Sequence, residues 1–238
     1  MIELALVALG LAAGGALQSA TGFGFALIAS PVLVGAYGGE QGISTLTLLS
    51  ILLNLMTLAT ERRRPAGDWR RGGRLIAWYV PGSFLGALLL EVASATVLKL
   101  VIAFGVTVAI ITRLAPGIAT LHLRAAPAGL LGGVFGTSTG VSGPPFIVHL
   151  LGAGLPPARM RDTLAGIFLA TAAIALGTLA AVGVFSLPAE LLWLALAMAT
   201  GQVAGRRVFA RLSPAGYERV VLATMFAAVL STLILLVA

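Results

Sequence analysis

Long apolar runs, separated by short clusters of arginine, glycine and proline, follow one another along nearly the whole chain. The clearest cover residues 44–60, 75–90, 97–111, 164–184, 191–205 and 220–237. Each is close to the ~20 helical residues that cross a bilayer core, so they predict six full-length transmembrane helices. Two further segments, 4–37 and 127–155, are as apolar but are interrupted near their centres by Gly, Ser, Thr or Pro. Each predicts a pair of short helices joined by unwound backbone, either re-entrant or barely spanning.

The two interrupted segments are near copies of one another. At an offset of 118 residues, Gly14-Gly15 falls on Gly132-Gly133, Ser19 on Thr137, and Thr21-Gly22 on Thr139-Gly140. Farther along, Thr45-Leu46 falls on Thr163-Leu164, and after a one-residue slip Gly82 and Gly86 fall on Gly201 and Gly205. The chain therefore reads as a duplicated unit, with repeat 1 over about 1–119 and repeat 2 over about 120–238. Each half is expected to hold one broken-helix hairpin and three transmembrane helices.

Composition narrows the class to an all-α polytopic membrane protein. Of 238 residues, 59% are hydrophobic and only 10% charged, with a mean hydropathy of +1.05. No stretch is left for a soluble domain of useful size, so residues 1–238 read as a single membrane transport domain. Met1-Ile2-Glu3 lacks the basic start of a cleaved signal peptide, so the first helix is expected to be retained. A net charge of +7 raises nucleic acid as a partner. The arginines instead cluster beside apolar spans without interleaved aromatics, which is a topology signal. With no cysteine, disulfides, thiolate metal sites and thiol catalysis are excluded.

Arginine placement also predicts orientation. The loop carrying Arg62, Arg63, Arg64, Arg70, Arg71 and Arg74 has a repeat counterpart, residues 180–192, without a basic residue. Conversely, Arg206, Arg207 and Arg211 align near 88–93, which have none, and Arg159 and Arg161 align with Gln41 and Ile43. Under the positive-inside rule, equivalent loops then lie on opposite sides of the membrane. This predicts an inverted-topology repeat, with the junction 113–124 cytoplasmic and both termini outside.

A helix is broken inside hydrocarbon only where protein or a watery cavity satisfies the freed amides. The breaks place Gln18, Ser19, Thr21, Gly22, Phe23 and Gly24 on one side, and Thr137, Ser138, Thr139, Gly140, Ser142 and Gly143 on the other. Hydroxyls and bare amides at a restarting helix favour an anion, and can release it more readily than an arginine clamp would. Pro144-Pro145 suits the first turn of such a restart. Small residues also serve tight helix packing, which is the expected role of Gly82, Gly86, Gly201 and Gly205. Asn54 and Gln202 could line a path or bond between helices, and His149 is a candidate coupling group. Lys99, Glu91, Glu190 and Glu218 sit near span ends, where they can reach the interface.

Two motifs carry a family resemblance over nearly the full length. Gly22-Phe23-Gly24, followed by Pro31, resembles the first-repeat pattern of the sulfite exporter TauE/SafE family, with Phe25 and Ala26 in place of two glycines. Gly140-Val141-Ser142-Gly143-Pro144-Pro145, with Arg161-Asp162-Thr163-Leu164 after it, resembles the second-repeat pattern. The resemblance implies a permease for sulfite, organosulfonates or similar sulfur-containing anions.

The expected partners are a small anion and the lipid bilayer, with no nucleic acid, cofactor or metal, and with homodimer assembly left open. A channel-like anion conduit and a non-transport scaffold or assembly factor are the competing readings. An enzyme is not expected, because no Asp or Glu lies mid-span and His122 and His149 are far apart in sequence.

Overall fold

The computed structural model describes residues 2–21, 24–59, 66–94, 123–151, 153–155 and 157–209, together with the single positions 97, 100, 104 and 107. Eight α-helices and no strand are found among these residues: α1 Ile2–Thr21, α2 Phe25–Tyr37, α3 Gly39–Ala59, α4 Trp69–Val92, α5 Ala125–Thr139, α6 Gly143–Leu151, α7 Pro157–Ala181 and α8 Leu191–Phe209. Three are long and apolar enough to cross a membrane, over Gly39–Ala59, Trp69–Val92 and Asp162–Ala181, and Leu4–Ser19 and Phe25–Tyr37 are shorter apolar helices. The protein is an all-α polytopic membrane protein. The expected spans 97–111 and 220–237 lie outside the described residues, apart from those single positions in the first.

Helix ends depart from the sequence expectation where polar residues extend a helix beyond its apolar part. Helix α3 starts at Gly39 because Gly38, at φ 78°, turns the chain in a single residue and its amide still bonds Val34 O at 3.0 Å. Helix α4 starts at Trp69, capped by Asp68, whose carboxylate accepts from Arg71 N at 3.1 Å. Arg70, Arg71 and Arg74 therefore lie in its first turns rather than in a loop. Helix α7 ends in a Schellman motif: Gly183, at φ 81°, donates to Ala180 O at 3.2 Å and Val184 to Leu179 O at 3.0 Å.

The halves are interleaved. Helix α4 packs along α5, and α1 along α8, more extensively than any other pair. Glycines allow the approach, because a Cβ on Gly82 or Gly86 would strike the carbonyls of Leu130 and Val134, and one on Gly201 or Gly205 the backbone of Ala12 and Ala16. Residues 130 and 134 stand 118 positions after 12 and 16, so the two crossings are repeat equivalents.

Two apolar cores result. One is drawn mainly from α1, α2, α3 and α8, around Leu11, Phe25, Leu33, Leu46 and Met198. The other comes from α4 to α7, around Leu75, Tyr79, Phe146, Leu150 and Ile167. Among the described residues, α4 thus packs with the helices that follow it and α8 with those at the start of the chain, and the two groups meet along α3 and α7. Leu9, Leu88, Leu192 and Trp193, each more than half exposed, give the outer surface its apolar character.

Candidate functional site

The two helix breaks meet at a cavity of about 60 Å³ between the cores. One wall comes from the first core unit: Gln18 on α1, Gly24 and Ala26 at the restart of α2, and Thr47, Ser50 and Asn54 on α3. The other comes from the second: Tyr79 on α4, Gly136, Gly140, Ser142 and Gly143 at the second break, and Phe168 and Thr171 on α7. Among the described residues, no Arg, Lys, Asp, Glu or His lines it. Glycine is required at both turns, since Gly24 has φ 108° and Gly140 has φ 75°, a left-handed backbone that side chains disfavour.

The first break is held by amides. Gln18 Nε2 donates to Asn54 Oδ1 at 3.0 Å, Gln18 Oε1 accepts from Phe25 N at 3.2 Å, and Asn54 Nδ2 donates to Ser50 O at 2.8 Å. The amide that opens α2, expected to face a ligand, is therefore met from within the protein. At the second break Gly140 N bonds Gly136 O at 3.0 Å and Val141 N bonds Thr139 Oγ1 at 3.3 Å. Pro144 and Pro145 remove two amides from the first turn of α6. The restarting helices thus offer fewer free N–H groups than the sequence pattern suggested.

Hydroxyls divide the same way. Ser19 donates to Ala16 O at 2.7 Å, Ser138 to Val134 O at 2.6 Å, and Thr139 to Phe135 O at 2.7 Å. A hydroxyl has one proton, so these groups are committed to their own helices, and none of the three lines the cavity. Thr137 is fully buried behind Tyr79, and its oxygen faces the phenol without completing a hydrogen bond. Gly22 and Phe23, and the side chain of Thr21, lie outside the described residues.

Of the path candidates, Asn54 lines the cavity, whereas Gln202 and His149 do not. Gln202 Nε2 donates to Thr57 Oγ1 at 3.0 Å, joining α8 to α3. His149 Nδ1 meets Leu123 O at 2.6 Å and ties α6 to the start of α5; facing a carbonyl, that nitrogen carries the proton. The sequence reading missed Thr47, Ser50, Tyr79 and Thr171. Thr47, Ser50 and Asn54 recur at helical spacing on one face of an apolar helix, which was the available signal. Tyr79 gave none, because it sits amid ordinary apolar residues.

Apolar helices broken twice around a cavity of mixed lining, in which Gln18, Asn54, Tyr79 and several hydroxyls stand among Leu27, Leu46, Ile147 and Phe168, fit a membrane transporter. The chain belongs to the sulfite exporter TauE/SafE family, whose family model matches residues 6–232. It is similar to the probable sulfite/organosulfonate exporter TauE of Cupriavidus necator, at 31% identity over 193 residues, covering 72% of each chain. No solved structure matches it.

Proposed function

We propose that the protein is a permease of the bacterial inner membrane for small sulfur-containing oxyanions, sulfite or a short organosulfonate, working by alternating access. The observation that carries this reading is the cavity at the two breaks, which presents amides and hydroxyls and no charged side chain. In a low dielectric, neutral donors stabilise an anion without holding it as an ion pair would, so it can leave again. At roughly 10–15 Å³ per water, 60 Å³ has room for a few water-sized groups, which suits a four-atom oxyanion better than a long chain. The name of the Cupriavidus relative supports the same substrate class.

The moving parts in this reading are the two core units rather than the two sequence halves. The chain crosses between units at the α3–α4 and α7–α8 connections, and equivalent side chains pin each. Asp162 Oδ2 accepts from Ala66 N at 2.8 Å and Thr163 Oγ1 from Asp68 N at 2.8 Å, while Ser44 Oγ, the repeat position of Asp162, accepts from Ser186 N at 3.3 Å. Rocking about these two pins would open the cavity to one side and then the other. Inverted halves, with both termini periplasmic, follow from the opposed arginine loops and agree with the packing of α4 on α5 and of α8 on α1.

Reconstituted protein should take up sulfite with saturable kinetics. Uptake linear in concentration would mark a conduit instead, and no uptake of any sulfur oxyanion would overturn the reading. Because the chain has no cysteine, spin labels can be placed at will. Distances between α1 and α8 should stay fixed on adding sulfite, and those between α1 and α4 should change. The opposite result would refute these two units.

A further inference from the structure

The duplication gives Gln18 a definite counterpart, Gly136, which has no side chain at all. The space a side chain would need is taken by the Tyr79 hydroxyl, since a Cβ on Gly136 would lie 2.5 Å from that oxygen and 3.0 Å from Ser142 Cβ. Tyr79 is itself the repeat counterpart of Met198, and the two helix positions cross their partners alike: a Cβ on Gly133 would strike Tyr79 O, and one on Gly15 would strike Met198 O. A phenol on one helix therefore occupies the polar slot that an amide fills in the other half.

Resting on the transport reading above, we infer that Tyr79 is the selectivity residue of the cavity, donating its hydroxyl proton to a bound oxyanion opposite Gln18. Several observations converge. Tyr79 is 1% exposed and lines the cavity, with its ring fixed against Phe146 at 6.2 Å between centroids. Its oxygen and the Cβ of Ser142 meet over Gly136, and both residues line the cavity.

Most other hydroxyls around the breaks have given their proton to a helix carbonyl, Thr47 among them, at 2.7 Å from Ile43 O. Gln18 and Asn54 are chiefly positioning residues, since their bonds to each other, to Phe25 N and to Ser50 O shape the wall. Behind Tyr79, the buried Thr137 hydroxyl has no other partner and can donate to the phenol oxygen once the phenol proton turns to the anion. That relay stabilises the bound state and costs nothing in covalent chemistry, because no proton leaves its oxygen.

The test is sulfite-induced thermal stabilisation of the purified full chain, with sulfate, thiosulfate and chloride alongside. Tyr79→Phe keeps the ring and removes only the hydroxyl. It should weaken sulfite binding on the order of ten- to a hundredfold, the loss of one hydrogen bond to a charged group, while the ligand-free melting point stays close to that of the parent. Thr137→Val should weaken it less. An unchanged sulfite response in Tyr79→Phe overturns the inference and leaves the transport reading standing. A parent protein that no oxyanion stabilises overturns both.

Should Tyr79→Phe not fold, 3-fluorotyrosine incorporation answers the same question with the hydroxyl kept in place. With Tyr37→Phe and Tyr217→Phe removing the other tyrosines, the single remaining fluorine resonance should move on adding sulfite. A stationary resonance, beside a sulfite-induced melting shift, refutes the contact.

Discussion

The two walls of the cavity stand at positions that match at the 118-residue offset of the sequence, and they share a frame while differing in chemistry. On the first wall the polarity is carried by side chains, with Gln18, Thr47, Ser50 and Asn54 in contact with the cavity. Their repeat positions are Gly136, Ala165, Phe168 and Ala172, which are small or apolar. On the second wall polarity comes from the Gly140 to Gly143 stretch with Ser142, from Thr171 and from the Tyr79 phenol. What the two repeats share is the geometry of the glycine-lined crossings between α1 and α8 and between α4 and α5, whereas Gly24, left-handed at the first turn, falls on Ser142 and not on Gly140. Close backbone approach tolerates no substitution, whereas a lining position is free to change once its twin supplies a donor.

The largest effects should follow from breaking the shared frame, and they should be alike in both halves. Gly201→Val and Gly82→Val each drive a branched side chain into a facing carbonyl, at Ala12 and Leu130. Both should cost at least the ~1–3 kcal/mol of an overpacked core, and both should appear as aggregated or unfolded protein on size exclusion in detergent. Gly177→Ala, in α7 where nothing lies within 4 Å, should instead stabilise by up to about 1 kcal/mol. If one crossing tolerated valine and the other did not, the equivalence of the two would be wrong.

Next come substitutions on the unlike walls, where the halves should part company. Gln18→Leu leaves Asn54 Oδ1 and Phe25 N without their partner and should cost about 1–3 kcal/mol. Its counterpart Gly136→Ala should leave the first wall intact and act on sulfite affinity through Tyr79. Melting curves with and without sulfite separate the two: a falling baseline for Gln18→Leu, and a diminished ligand shift for Gly136→Ala. A diminished shift alone in both would argue against the division of labour.

The connections offer a third contrast. Asp162 holds the α3–α4 connection with a charged acceptor at 2.8 Å, while Ser44 holds the α7–α8 connection with a neutral one at 3.3 Å. Removing Asp162 by alanine substitution should cost about 1.5–3 kcal/mol and Ser44→Ala about 0.5–1.5 kcal/mol or less. Equal melting points for the two variants would remove the asymmetry.

These contrasts also explain how far the sequence could be read. Helix positions were legible because bilayer thickness fixes the length of an apolar run, and the breaks because hydroxyls, glycines and prolines cluster there in two matching tracts, beyond what helix packing asks for. Ends were misjudged by several residues at α3, α4 and α7, where hydrophobicity stops before the backbone hydrogen bonds do. Of the residues that line the cavity, the sequence pointed to the turn glycines Gly24 and Gly140 and to Gln18, Asn54, Ser142 and Gly143. It was misread at Ser19, Ser138 and Thr139, because composition counts hydroxyls without revealing which carbonyl each one serves. Tyr79 was invisible, since only the crossing of α4 over α5 brings a phenol beside Gly136.

The smallest predicted effect concerns the cap of α4. Its repeat position falls on Ser186 or Leu187, according to where the one-residue slip is placed, and neither carries a carboxyl. The Arg71 backbone amide and then its guanidinium hold the Asp68 carboxyl below the usual carboxylate range. A lowered carboxyl favours the folded state above the unfolded value, near 3.9, and that contribution disappears as pH falls through the folded value. Asp68→Asn keeps a capping side chain and removes the charge, so it should cost about 0.3–1 kcal/mol at pH 7. The difference from the parent should vanish in melts run well below pH ~4, and a difference that persisted there would place the effect in the shape of the cap rather than in its charge.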